Sequence, residues 1–440
     1  MLTRRSFLGR AGLAGVALAG TRSLEARTPD TPDLEQARAD LRRPAGTPEA
    51  VARDEAYWRR VASQYRVATG YTNLEAGYFG MMAAPVLAEF HRQVDRVNLE
   101  SSHYARIDYP REAEAARART AAFLGATPGE IAITRGATEA LQRLIIQYLK
   151  VGAGDEVMYA DLDYGAMQYA MNALAARRGA KVITLDIPEP ATRDNVLAAY
   201  EAALDAHPRV KLLLLTHLNN KTGLIVPVKD IAAMARARGA DVVVDAAHSF
   251  GQVDLKLDDL GADFVGCNLH KWIGAPVGVG VMYIRAGRLG DIERMLGDEG
   301  AEDRIDSRLH TGTTNFATTL TVPAAIDFHE AVGSAHKAAR IRYLRDRWVG
   351  AVRGARGIDV LTPDDRDLVA GISSFRLNGR TGAPDNRAIA TELLDRHGIF
   401  VVARSGLAKG DCVRVTPALY NTPEDCDRLA TVLREMAGRG

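Results

Sequence analysis

Asp241-Val242-Val243-Val244-Asp245-Ala246-Ala247-His248 and Asp263-Phe264-Val265-Gly266-Cys267-Asn268-Leu269-His270-Lys271-Trp272 decide the fold of this chain. Each stretch opens on a short apolar run and turns polar where the run stops. Runs of this kind suit strands that are buried on both faces of a sheet. Five others have the same character: Ile131–Thr134, Glu156–Ala160, Lys181–Ile187, Lys211–His217 and Gly278–Ile284. Between them lie stretches of helical period, such as Glu139–Val151, Tyr164–Arg178, Asn195–Ala206 and Val228–Arg238. Strand alternating with helix predicts an α/β fold with a seven-stranded, mostly parallel sheet. Gly278–Ile284 follows its neighbour with no room for a crossover helix, so it is expected to run antiparallel.

Further out the texture changes. A long helical stretch, Pro323 to Arg353, leads to short strands at Ile358–Leu361, Gly371–Leu377, Ile399–Ala403 and Cys412–Val415, and to a last helix, Pro423–Ala437. This predicts a large domain over 81–322 and a smaller α+β C-terminal domain over 323–440. Upstream, residues 27–80 read as a linker and N-terminal arm, flexible to about residue 50, with a helical pattern from Ala50 to Gln64. Thr3-Arg4-Arg5-Ser6-Phe7-Leu8, followed by a small apolar run from Ala11 to Gly20, has the layout of a twin-arginine export signal over residues 1–26. That run is too short to span a bilayer, so no membrane span is expected to remain after processing. A periplasmic location follows as an expectation.

The formal net charge of +1 offers no basic face for nucleic acid. Cys267, Cys412 and Cys426 show no pairing motif and no histidine at metal-ligand spacing, so neither a disulfide framework nor a metal is expected.

Ligands of open α/β sheets bind beyond the carboxyl ends of the strands, and five ends here carry suggestive residues. Arg135-Gly136-Ala137-Thr138-Glu139 starts a helix with small residues, a place to grip a phosphate or an ordinary helix cap. Asp161-Leu162-Asp163-Tyr164-Gly165 offers an aromatic that can stack on a planar ring. Asn219-Asn220-Lys221-Thr222-Gly223 is a polar turn, or a source of an amide for a ring oxygen. Asp245 ends its strand as a helix cap or as the partner of a protonated ring nitrogen. Lys271, between an apolar strand and Ile273-Gly274-Ala275-Pro276, is placed to lose its proton and attack an aldehyde. None of these decides alone. Their order on successive strands fits pyridoxal 5′-phosphate (PLP), whose pyridine needs a carboxylate at its nitrogen.

The sequence resembles the fold-type I PLP enzymes of the class V aminotransferase family, in the style of the isopenicillin N epimerase-like branch. The resemblance runs from about Asn73 to the C-terminus. It is carried by Asn73-Leu74-Glu75-Ala76-Gly77-Tyr78-Phe79-Gly80, by Asp245-Ala246-Ala247-His248, by Asn268-Leu269-His270-Lys271-Trp272 and by Gly274-Ala275-Pro276. It implies a Schiff base on Lys271, which also moves the α-proton, and a pyridinium contact from Asp245. His248 and Asn220 would meet the ring oxygen, Tyr164 would stack on the ring, and Gly136, Ala137 and Thr138 would hold the phosphate beside Asn268 and His270. Thr313 would reach the phosphate of a second subunit, making a homodimer with shared sites. Arg414, in Val413-Arg414-Val415-Thr416-Pro417, matches the arginine that binds the substrate carboxylate, and Arg404 is a second candidate. Relatives that desulfurate cysteine carry a catalytic Cys on a mobile loop. Here Arg404-Ser405-Gly406 leads over a short loop to Cys412, two residues before Arg414, which speaks against a persulfide carrier.

The expected activity is therefore transamination or epimerisation of an amino acid or amino-acid-like unit. The alternatives are a PLP lyase or desulfurase, a periplasmic tailoring enzyme of a siderophore or other peptide natural product, and a non-catalytic nucleotide-binding α/β protein.

Overall fold

The computed structural model describes residue 39 and residues 41–298, 300–309 and 312–439. The expected export signal, residues 1–26, lies outside them. Thirteen strands are described: β1 (Thr72–Asn73), β2 (Ile131–Thr134), β3 (Glu156–Ala160), β4 (Lys181–Leu185), β5 (Val210–Thr216), β6 (Asp241–Asp245), β7 (Phe264–Asn268), β8 (Gly280–Ile284), β9 (Ile358–Val360), β10 (Ser373–Leu377), β11 (Ile399–Phe400), β12 (Val402–Arg404) and β13 (Cys412–Val415).

Seven of them form the large sheet in the order β2-β8-β7-β6-β5-β3-β4, and β8 runs antiparallel to both its neighbours. Side chains alternate across a strand, which is why an unbroken apolar run can feed two cores. Leu213 and Leu215 of β5 join Val244 and Val265 in one cluster with the helices Arg193–Ala206 and Val228–Ala237. Leu212 and Leu214 join Val243 and Phe264 in another, with the helices Ala137–Ile146 and Gly165–Arg178. Close packing of helix on sheet needs Gly266, where a Cβ would lie 2.5 Å from Leu141 Cγ.

The small C-terminal sheet is antiparallel, in the order β12-β13-β10-β9. Its core holds Trp348, Phe375, Leu393, Val413 and Leu433. The single strand expected over Ile399–Ala403 is two pieces. β12 pairs with β13, whereas β11 pairs in parallel with β1 of the N-terminal arm.

Two boundaries differ from expectation. The long helix begins at Phe316, contains Pro323, and breaks at Gly333 into Phe316–Val332 and Ser334–Val352. Asn315 caps the true start by accepting from the Thr318 amide, and buried Ala317, Leu320 and Val322 hold the first turns in place across the proline. Upstream, residues 42–50 are exposed or half-buried between the buried Leu41 and Val51. Leu41 is buried, and the expected Ala50–Gln64 helix is two, Pro48–Val51 and Glu55–Ala62. Asp54 interrupts them by capping the amides of Ala56 and Tyr57. Fully buried Arg340 explains the docking: its guanidinium donates to Ala52 O and pairs with Glu55. A buried cation needs such partners.

Gly280 brings β8 against the start of the helix Ala137–Ile146. A Cβ there would stand 2.5 Å from Cys267 O and 2.7 Å from Gly136 Cα. Gly280→Ala is expected to lower the unfolding free energy by about 1–3 kcal/mol, read from the midpoint of urea unfolding at unchanged slope.

Candidate functional site

The parallel strands β5, β6 and β7 end on Thr216, Asp245 and Asn268, and these three line one cavity of about 600 Å³. Of the residues singled out from sequence, Gly136, Ala137, Thr138, Tyr164, Asn220, Asp245, His248, Asn268, His270, Lys271, Arg404 and Arg414 line it too. Thr313 does not; it is exposed on its own chain.

Lys271 follows β7 in a turn held by Gly80, whose amide donates to His270 O at 2.8 Å. Only glycine permits that approach, since a Cβ on residue 80 would collide with Lys271 O. Lys271 Nζ lies 2.9 Å from His248 Nε2. Burial, reinforced by the charges of Arg414 and Arg404 and opposed by Asp245 and Glu75, pushes Lys271 down to about 8. His248 is buried, and desolvation next to Lys271 holds it well below the ordinary histidine range, so its ring is neutral. Asp245 accepts from the Ala247 amide at 2.9 Å and is raised by burial, with Lys271 opposing.

The remaining walls come from loops. Gly136 begins the helix Ala137–Ile146 at φ +152°. Asn268 Oδ1 accepts from the Ala137 amide at 2.7 Å, so of the expected phosphate contacts this one N–H already has a protein partner. His270 Nδ1 is 2.8 Å from Val279 O, which aims its other nitrogen away from that backbone. Tyr164 caps the helix Gly165–Arg178 with its ring exposed toward the cavity. Of the paired asparagines, Asn219 is scaffold: it accepts from the Lys221 and Thr222 amides and donates to Leu162 O. Asn220 is not, and its buried Oδ1 has no partner among the described residues.

PLP fits these residues. An orphaned amide oxygen calls for a donor such as a ring hydroxyl. A buried carboxylate calls for a cation such as a pyridinium. A helix start opened by glycine suits a phosphate.

Two residues had no role from sequence. Glu75 of the N-terminal arm is buried, and its carboxylate pairs with Arg414, accepts from Thr416 Oγ1 at 3.1 Å and lies 3.5 Å from Arg404. Arg414 also donates to Asn220 O at 2.8 Å, while its Nε has no partner among the described residues. Burial pushes Arg414 down to about 10, with Glu75 opposing. Trp272 donates its indole N–H to His248 Nδ1 at 3.2 Å. Glu75 and Arg414 are 339 positions apart, beyond the reach of any local pattern.

All three cysteines are free and buried. Cys412 lies within β13 and burial raises it to about 11; Cys267 rises to about 12. The thiolate is the nucleophilic form, so neither is prepared to carry sulfur.

Such a sheet, with a lysine and an aspartate at its strand ends and a second domain closing the cavity, defines a PLP-dependent enzyme of fold type I. Comparison with known proteins agrees. Residues 84–429 match the family described as aminotransferase class V, and the chain belongs to it. It is 32% identical to the isopenicillin N epimerase of Streptomyces clavuligerus, over 73% of this chain and 84% of that one. Identity to the isopenicillin N epimerase of Amycolatopsis lactamdurans is 30%, over 86% and 98%. A probable cysteine desulfurase of Vibrio cholerae is 29% identical, over 73% and 82%. Among solved structures, a cysteine desulfurase from Thermococcus onnurineus superposes with a TM-score of 0.73 at 22% identity, over 84% and 95% of the chains. A C-DES variant with glycine covalently linked to its PLP gives 0.73 at 22%, over 83% and 97%.

Removing the carboxylate from the Glu75–Arg414 pair leaves a buried guanidinium uncompensated. Glu75→Gln is expected to cost about 3–5 kcal/mol of stability, measured by chemical denaturation of the apoprotein.

Proposed function

We propose that this enzyme acts at the amino group or α-carbon of a small amine that carries a carboxylate, by transamination or epimerisation. The observation that carries the reading is a single cavity lined by both the Lys271 amine and the Arg414 guanidinium. PLP, when bound, supplies an electron sink for a carbanion at the α-carbon. Lys271 holds the cofactor's aldehyde carbon and, once released, takes and returns the proton at the α-carbon. Asp245 keeps the ring nitrogen protonated. Asn220 and His248 address the ring oxygen, and Tyr164 covers the ring face. Gly136, Ala137 and Thr138 cradle the phosphate, with Asn268 and His270 beside it. Arg414 and Arg404 receive the substrate carboxylate, a task suited to guanidinium groups.

The active form is a homodimer. Tyr78, Phe79 and Val277 are exposed apolar residues, and Tyr78 and Val277 line the cavity. A second copy would bury this surface and bring Thr313 to the neighbouring phosphate. Arg4-Arg5 ahead of the apolar Ala11–Gly20 supports twin-arginine export to the periplasm. An exported enzyme of this kind suits the amine of a siderophore or another peptide natural product.

Holoenzyme incubated with candidate amines and α-keto acids tests the reaction. Conversion of the cofactor to its amine form indicates transamination, whereas deuterium exchange at Cα without it indicates epimerisation. Release of sulfide from cysteine in place of both would make the enzyme a lyase. Lys271→Ala is expected to lose the visible absorbance of the bound cofactor and about 10²–10⁴-fold in turnover. Replacing Arg4 and Arg5 by Lys is expected to keep the protein in the cytoplasm, read by cell fractionation and immunoblot.

A further inference from the structure

A buried indole N–H needs an acceptor, and Trp272 is only 4% exposed. It gives its N–H to His248 Nδ1 at 3.2 Å. An indole can only donate, so the nitrogen that receives it carries no proton. His248 is neutral, and the proton of its ring must then sit on Nε2. That nitrogen faces Lys271 Nζ at 2.9 Å. An ammonium has no lone pair with which to accept an N–H, whereas a neutral amine does. The chain of donors therefore has one consistent direction, from Trp272 through His248 to an unprotonated Lys271.

We propose that Trp272 is a positioning residue: its indole fixes the tautomer of His248, and that tautomer favours the neutral amine of Lys271, the form that meets the cofactor's aldehyde. This rests on the reading of Lys271 given above. The indole is itself held in place. Lys337, buried under the turn, donates to Trp272 O. On the other side a Cβ at Gly251 would fall 2.7 Å from the Trp272 carbonyl carbon. The charged and titratable groups acting on the pair are Asp245 on β6, Glu75 of the N-terminal arm, Arg404 and Arg414 of the small domain, and His270 of the same turn. Among the described residues none of them hydrogen-bonds His248 Nδ1, which leaves the tautomer to Trp272.

The test uses apoprotein labelled with ¹⁵N-histidine, with the His248 signal assigned from His248→Gln. Two replacements remove the donor. Trp272→Phe keeps an aromatic ring, and site-specific β-(3-benzothienyl)alanine keeps the bicyclic shape with sulfur in place of N–H, so it stands in if the phenylalanine variant fails to fold. In the native protein His248 is expected to show a bare Nδ1 and a protonated Nε2. In both variants the Nδ1–H tautomer gains population. The pH midpoint for capture of PLP by Lys271 is expected to rise, with capture at pH 7 slowed about three- to tenfold. A native His248 protonated at Nδ1, or an unchanged tautomer and midpoint in the sulfur variant, overturns the proposal. A native protein that captures no PLP while His248 shows the expected tautomer would instead remove the role given to Lys271.

Discussion

Lys271 sits where the strands of the large sheet end, half-buried in the wall of the cavity. Desolvation there costs an ammonium far more than an amine, and the surroundings of the residue follow from that. Its nearest neighbour is the neutral ring of His248, not a carboxylate. The arginines of the small domain add positive potential in the same direction, and Asp245 and Glu75 limit it. The backbone of the turn is in turn pinned by Gly80 on the arm and by Lys337 from below. A reactive amine is obtained by burying it beside a neutral ring in place of a carboxylate, and the rest of the fold supplies the walls of that site.

Those walls belong to three parts of the chain. The sheet contributes the strand ends, the arm contributes Glu75 and Gly80, and the small domain contributes Arg404 and Arg414. Lys221 joins two of them, since its buried ammonium donates to Asp161 O of the large domain and to Gly406 O of the small-domain loop. Asp161 adds a second tie by accepting from the Ala408 amide. The loop between β12 and β13 is thus tied twice to Asp161, once directly and once through Lys221.

What the sequence disclosed and what it hid separate along physical lines. Strands buried on both faces announce themselves as apolar runs, and ligands gather at their ends, so Asp245, Asn268 and Lys271 could be located from spacing alone. Twelve of the residues singled out, from strand ends or from the family resemblance, line one cavity. Glu75 and Trp272 were quoted without a role because their partners are distant in sequence: Arg414 for the one, His248 for the other. The docking of residues 52–55 was hidden for the same reason, since Glu55 finds Arg340 285 positions away. The division of 399–404 between two sheets is likewise set by which strand lies alongside, β1 or β13, and no local pattern records that.

The Glu75–Arg414 pair also has a meaning in time. A ribosome adding roughly 5–20 residues per second makes Glu75 339 residues ahead of its cation, a delay on the order of half a minute. β1 waits equally long for β11, and Asn73 for Tyr420. Until then the Glu75 carboxylate and β1 lack the partners they have in the fold, whereas the large sheet has all its strands once Ile284 is made. The substrate end of the cavity closes only as the last strands emerge, so the finished pocket is itself a sign that the whole chain has been made.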